Sequence, residues 1–271
     1  ATSLGSPATA VLTIAGAAPR VGGGGPPGER AVVTMDMYPS FSAAINTIGV
    51  SIPTTLLIDS AGTVTRNTTV PPNVTLQFDG ARQLSVDRGV TVTIDGPLNA
   101  PARQIFAGTG VVLFGPTYKA DIYPQWWGAA FDSVTDDSTA WQAAINAASA
   151  GSRVVITGIS AIGSAGVLID KKTDFTLDGE GRGGIKVTGA SVRRVSAMGR
   201  TVIAVTGVVN TKIHGLTING NNTASNLIGM FQGTGSEISD NWTTGGGQNA
   251  AITVVGGSHN RILRNVVRST I

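Results

Sequence analysis

Three isoleucines near the end of the chain, Ile213, Ile238 and Ile262, stand 25 and 24 positions apart, each inside the same kind of segment. The segments are Asn210-Thr211-Lys212-Ile213-His214-Gly215-Leu216, Gly235-Ser236-Glu237-Ile238-Ser239-Asp240-Asn241-Trp242 and Ser258-His259-Asn260-Arg261-Ile262-Leu263-Arg264-Asn265-Val266. A repeat of this length describes a unit too small to bury its own apolar face, so successive units must stack. The expectation is a column of Ile over Ile over Ile inside a solenoid.

The text upstream agrees with strands rather than helices. From Thr54 onward, short β-rich runs such as Leu56-Leu57-Ile58, Val74-Thr75-Leu76-Gln77-Phe78, Val90-Thr91-Val92-Thr93-Ile94 and Val111-Val112-Leu113-Phe114 are separated by Gly, Asn, Asp and Pro. Several alternate apolar and polar residues, and the gaps are too short for crossover helices. Charged residues are 13% of the chain and glycines number 37, which fits many turns and few amphipathic helices. Phe78-Asp79-Gly80, Ile94-Asp95-Gly96, Leu177-Asp178-Gly179 and Ile218-Asn219-Gly220 repeat one corner chemistry. Each has an apolar strand end, a short polar residue tolerant of left-handed backbone, then Gly. A hairpin meander would use the same pair, so these corners leave meander and coil open; the 24-to-25-residue repeat favours the coil.

One helix is expected, over Asp136–Ala148, with Asp136 or Asp137 capping its first turn. Ala140, Ala144 and Ile145 make its buried stripe, with Trp141 at the flank. In a solenoid such a helix covers an open coil end. Three regions follow: a Gly/Pro-rich leader or attachment segment over 1–40, containing Gly22 to Gly28; a β-rich region over 41–122; and a solenoid over 123–271. The chain stops at Ser269-Thr270-Ile271 inside another coil, so further polypeptide or a covering partner is expected.

Tyr123-Pro124-Gln125-Trp126-Trp127-Gly128-Ala129, Asp132, and Thr135-Asp136-Asp137-Ser138-Thr139-Ala140-Trp141-Gln142-Ala143-Ala144-Ile145 resemble the opening of pectate-lyase-superfamily, pectin-lyase-like β-helix proteins. The likeness is detailed over about 25 residues, and the coils that follow extend it to Ile271. It departs at Phe131-Asp132-Ser133, where members carry Gly-Asp-Gly, a turn difference. The resemblance implies an all-β, right-handed parallel β-helix with an N-terminal capping helix after a small β-rich region. It implies little about reaction, because the family spans polysaccharide lyases, glycoside hydrolases, epimerases, phage tailspikes and catalytically silent spikes.

The chemistry-bearing residues are sparse. Hydrolysis needs two carboxyl groups across the scissile bond, and the family's full hydrolase motif set is absent. Asp136 and Asp137 belong to helix capping. Proton abstraction beside a sugar carboxylate needs a base and a means of neutralising the acid. His214 is the candidate base, with Asp240 one coil later to orient it. Asp178 and Glu180 could share a calcium ion, although Asp178 is already explained by its corner. Trp242, Asn219, Asn241 and Arg264 are candidate polysaccharide contacts. Against that, Asn219, Asn221, Asn222, Asn241, Asn260 and Asn265 at equivalent corners suit a ladder that satisfies buried backbone. His259 reads as a turn residue, and Trp126 and Trp127 as packing.

No cysteine is present, which removes disulfides and thiolate chemistry, and no apolar run approaches a membrane span. The net charge of +3 is spread without the dense basic stripe that nucleic acid requires; Arg193, Arg194 and Arg200 form the nearest cluster, with Arg261, Arg264 and Arg268. The expected partner is polysaccharide, at an extracellular or virion surface, with processing by a lyase or hydrolase. The alternative is a structural spike, decoration or filament protein on the same scaffold. Homotrimeric assembly is implied by the tailspike resemblance alone.

Overall fold

A computed structural model describes residues 31–163, 165–188, 194–195, 199–222, 226–246 and 250–268. The Gly22–Gly28 run, Arg193 and Ser269–Ile271 lie outside the described residues. The chain is mostly β, with two α-helices and 26 short strands among the described residues.

The strands form six sheets, numbered here in chain order. Sheet A joins β1 (Ala31–Thr34), β2 (Thr54–Ile58), β5 (Val74–Phe78) and β8 (Leu98–Asn99). Sheet B joins β3 (Gly62–Val64), β6 (Leu84–Val86) and β9 (Phe106–Gly108); sheet C joins β4 (Thr68–Val70), β7 (Thr91–Ile94) and β10 (Val111–Phe114). Sheet D joins β12 (Arg153–Val155), β15 (Thr176–Asp178), β19 (Lys212–His214), β22 (Glu237–Ser239) and β25 (Arg261–Leu263). Sheet E runs through β11 (Asp132–Asp136), β13 (Ile159–Ile162), β16 (Gly184–Val187), β20 (Thr217–Asn219), β23 (Trp242–Thr244) and β26 (Val266–Arg268). Sheet F joins β14 (Val167–Asp170), β18 (Gly199–Thr206), β21 (Asn226–Phe231) and β24 (Ile252–Val255). From β2 the chain visits A, B and C in rotation, and from β12 it visits D, E and F in rotation. Among the described residues all pairing is parallel except β17 (Arg194–Val195) against β18. Cyclic visits with parallel pairing are consistent with a β-helix-like solenoid and exclude the meander.

The isoleucine column is present. Leu177 pairs with Ile213, Ile213 with Ile238 and Ile238 with Ile262, in one internal file. The first three are at most 1% exposed, whereas Ile262, in the outermost described coil, is 52% exposed. Alternation along each three-residue strand turns the middle residue inward and its neighbours outward.

The corners depart from expectation in one respect. The left-handed residues at the ends of β15 and β20 are Glu180 and Asn221, beyond the glycine. Asp178 and Asn219 accept from the backbone N–H of Glu180 and Asn221, at 2.7 and 2.9 Å, which closes each turn. Gly179 and Gly220 are needed for a different reason. A Cβ there would lie 2.4 Å from the carbonyl oxygen of Gly215 and of Gly245, one coil further on.

Two helices pack against the stacks. The sequence reading missed α1 (Phe41–Ile48), although its signals are complete: the Ser40 hydroxyl accepts from the Ala43 N–H, Gly49 ends it in left-handed backbone, and Phe41, Ala44, Ile45 and Ile48 are buried at helical spacing. It packs on β3 and β4. Before it, β1 occupies part of the segment read as leader and pairs with β2. The expected helix is α2 (Ser138–Ala147), and it is a plug between stacks rather than an end cap. It contacts β10 of the first stack and β14 of the second. Trp141, expected at the flank, is fully buried and donates to Ser160 Oγ at 2.7 Å. Gln142 replaces a missing strand beside β14, donating to the Leu168 carbonyl and accepting from its N–H, both at 2.9 Å. Asp136 caps the helix through the Ser138 N–H at 2.9 Å, while buried Asp137 instead accepts from the N–H groups of Ala130 and Phe131.

Candidate functional site

Sheet D presents Lys212 and His214 outward because Ile213 points in. Pairing places Lys212 beside Glu237 and Arg261, and His214 beside Ser239 and Leu263. The next residue in each coil turns the corner toward sheet E in left-handed backbone: Gly215, Asp240 and Arg264 have φ of 66°, 56° and 51°. A polar cluster thus assembles from residues 24 and 25 positions apart.

His214 Nδ1 lies 3.2 Å from Ser239 Oγ and 3.3 Å from Asp240 Oδ2. The Ser239 hydroxyl donates to Glu237 Oε1 at 2.7 Å, so toward His214 it can only accept. Asp240 as a carboxylate also only accepts. The proton of a neutral His214 therefore sits on Nδ1, which leaves the Nε2 lone pair without a partner among the described residues. Asp240 is in turn gripped by Arg264, whose Nε and Nη2 donate to its two oxygens at 2.7 Å each. These hydrogen bonds from Arg264 hold the Asp240 carboxyl below its ordinary value. The hydroxyl of Ser239 lowers Glu237 as well, against the opposing effect of burial, with Lys212, Arg261 and Arg264 adding to the lowering. Arg261 completes the row 3.6 Å from Glu237. The sequence pointed to His214, Asp240 and Arg264; it did not point to Glu237, Ser239 and Arg261 as their partners, although all three share the repeat offset.

Around the corner, sheet E exposes Trp242, with the Arg268 guanidinium 4.5 Å from its ring centroid. Asn219 lies on the same outer face, in the row of Lys186, Thr244 and Arg268. Asn241 is a correction. It is 1% exposed; its Oδ1 accepts from the Leu216 N–H at 3.0 Å, and its Nδ2 donates to the Ile213 carbonyl at 3.0 Å and to Asn265 Oδ1 at 2.9 Å. Its amide is committed to the corner, where both nitrogen hydrogens donate and the oxygen accepts, as a ladder residue requires. Asn265 continues the ladder to the Ile238 carbonyl, and Asn260 with Ser236 builds a second ladder at the corner before sheet D. His259 is an exposed corner residue.

The carboxylates weighed for calcium are engaged otherwise. Arg153 lies 3.1 Å from Asp178, 2.8 Å from Glu180 and 2.8 Å from Asp121. Burial weakens the guanidinium's hold on its proton, but hydrogen bonds to Glu180, Asp121 and Asp178 outweigh it, and the pKa rises. A calcium ion at Asp178 and Glu180 would have to displace Arg153. No helix among the described residues is long and apolar enough to cross a membrane.

No family model matches the chain, and no curated protein matches it. A solved chain from Parabacteroides merdae, described as a "putative glycosyl hydrolase", is similar at 11% identity over 87% of this chain and 95% of that one, with a TM-score of 0.23.

Proposed function

We propose that this chain is a right-handed parallel β-helix of the pectin-lyase-like kind that binds an acidic polysaccharide along the outer faces of sheets D and E. The observation that carries the reading is the register-built cluster of His214, Asp240 and Arg264 beside the exposed Trp242 platform. Lys212, Arg261, Arg264 and Arg268 outnumber Glu237 and Asp240 there, which favours an anionic chain. A linear polymer suits a repeating surface, and such polymers place the protein outside the cell or on a virion.

The electrostatics favour one reaction over the other. Hydrolysis by a carboxyl pair needs one partner protonated, whereas Glu237 and Asp240 are both held ionised. The arrangement fits elimination better. His214 Nε2 takes the proton beside a sugar carboxylate, and the glycosidic oxygen leaves with its bonding pair, producing an unsaturated uronate. Incubation with oligogalacturonides tests this: absorbance of unsaturated product, lost in His214→Gln, supports the lyase reading. Binding without product would reduce the reading to a gripping protein, and absence of both would favour the structural spike.

A further inference from the structure

We infer that the groove where sheet A gives way to sheet D is the end subsite of this polysaccharide track and holds one sugar residue of the anionic chain. The inference rests on the binding reading above and extends it to a part of the molecule that the sequence did not single out.

The groove is open to solvent and offers about 380 Å³, within the size class of small-ligand sites. Leu98 and Tyr123, both partly exposed, supply the apolar surface, backed by buried Trp126, which Tyr123 meets edge-on at 5.3 Å and 72°. Such a surface suits the C–H face of a sugar ring. Two of its polar side chains are uncommitted: Asn99 and Lys119 are exposed and have no side-chain partner among the described residues. Asp121, by contrast, is engaged by Arg153 at 2.8 Å. The charge the groove offers a ligand is therefore the Lys119 ammonium, which matches a sugar carboxylate. A second observation points the same way. Trp126, which lines the groove, is 2% exposed, and its indole N–H is buried without a partner among the described residues. Buried donors are nearly always satisfied, so this one calls for water or a ligand.

Position links the groove to the cluster. Asp121 precedes Ile122, which bridges Val154; Val154 pairs with Leu177, and Leu177 with Ile213, the neighbour of His214. Three strand spacings of about 4.8 Å separate groove and base, roughly 14 Å along the stacking direction. A chain seated at one end in the groove runs over Arg153 and reaches His214 a few residues later.

Calorimetric titration of the full chain with galacturonate oligomers of increasing length decides it. The expected result is an affinity that climbs until the oligomer spans both places. Ala120→Trp, which fills the groove from an exposed position, then removes the final rise by about tenfold while sparing the shortest ligands that bind. Lys119→Ala reproduces part of that loss, and Arg264→Ala weakens every length. Wild-type affinities at all lengths in both Ala120→Trp and Lys119→Ala, with Arg264→Ala still impaired, overturn the subsite and leave the binding surface standing. Absence of binding at every length overturns both.

Discussion

The two stacks use one topology and different means of holding it together. In the first, paired positions such as Leu56, Leu76 and Leu98 recur every 20 to 22 residues, and the interior is stapled by rings. Phe78 meets Phe106 at 6.0 Å, Phe106 meets Trp127 at 5.2 Å, and Phe114 meets Tyr118 at 4.3 Å. In the second, coils of 23 to 36 residues, settling to 25 and 24 in the last two, carry aliphatic columns inside, with Asn, Ser and Thr ladders at the corners. The extra residues per coil are spent on left-handed polar corners, and those corners deliver Asp240 and Arg264 to the outer face. Ring packing fills the first interior with apolar contacts, whereas polar laddering in the second brings charged side chains together across coils. α2 lies between, buried against both.

The comparison can be broken most forcefully at α2. Trp141→Ala should cost about 3–5 kcal/mol, as for other large aromatic truncations in cores, because its ring is fully buried where the stacks meet. Denaturant unfolding should shift as one transition; two separated transitions would show that the stacks do not depend on α2 for their coupling. Asn241→Ala should cost about 2–4 kcal/mol by leaving the Leu216 N–H and the Ile213 carbonyl unpaired. Hydrogen exchange should quicken around sheets D and E and hold steady in the first stack. Uniform loss of protection would erase the distinction between ladder and ring packing. Gly220→Ala should cost about 1–3 kcal/mol, since the added methyl meets the Gly245 carbonyl at 2.4 Å and the coils must part. An unchanged melting temperature would mean the coil spacing is softer than the contact implies.

The smallest effect on stability is expected at the surface pair. Arg264→Ala should leave the melting temperature essentially unchanged, because an exposed ion pair is worth little. It should still raise the Asp240 titration midpoint toward the ordinary carboxylate range, as followed by side-chain NMR. The sign follows from the depressed folded pKa: the pair's contribution is present above the unfolded carboxyl value and fades as pH falls through the lower folded one. A midpoint that does not move would mean the pair is not formed in solution.

Much of this was legible in the sequence, for identifiable reasons. The Ile213, Ile238, Ile262 spacing set the coil length, and alternation around each Ile put His214 and Lys212 outside. α2 was visible through its apolar stripe and acidic start. α1 was overlooked because its eight residues, with Ser, Thr and Asn among them, sit in β-rich text and carry no charge pattern. Trp242 and Asn219 could be placed on an outer face from period two alone. Asn241 could not be separated from them, since an amide at a corner serves a ligand or a ladder equally well until its burial is known.

What the sequence determined by itself is periodicity: which residues recur, at what interval, and so which side chains stack. That is a local property, fixed by strand alternation and by the corner residues that tolerate left-handed backbone. What only the tertiary structure decided is which polar groups find one another across coils. Arg153 drawing in Asp121, Asp178 and Glu180, Ser239 directing the His214 proton to Nδ1, and the groove between sheets A and D all depend on side-chain reach between strands about 4.8 Å apart. Linear text records the interval between two residues but not which of several neighbours at that interval a flexible polar side chain chooses.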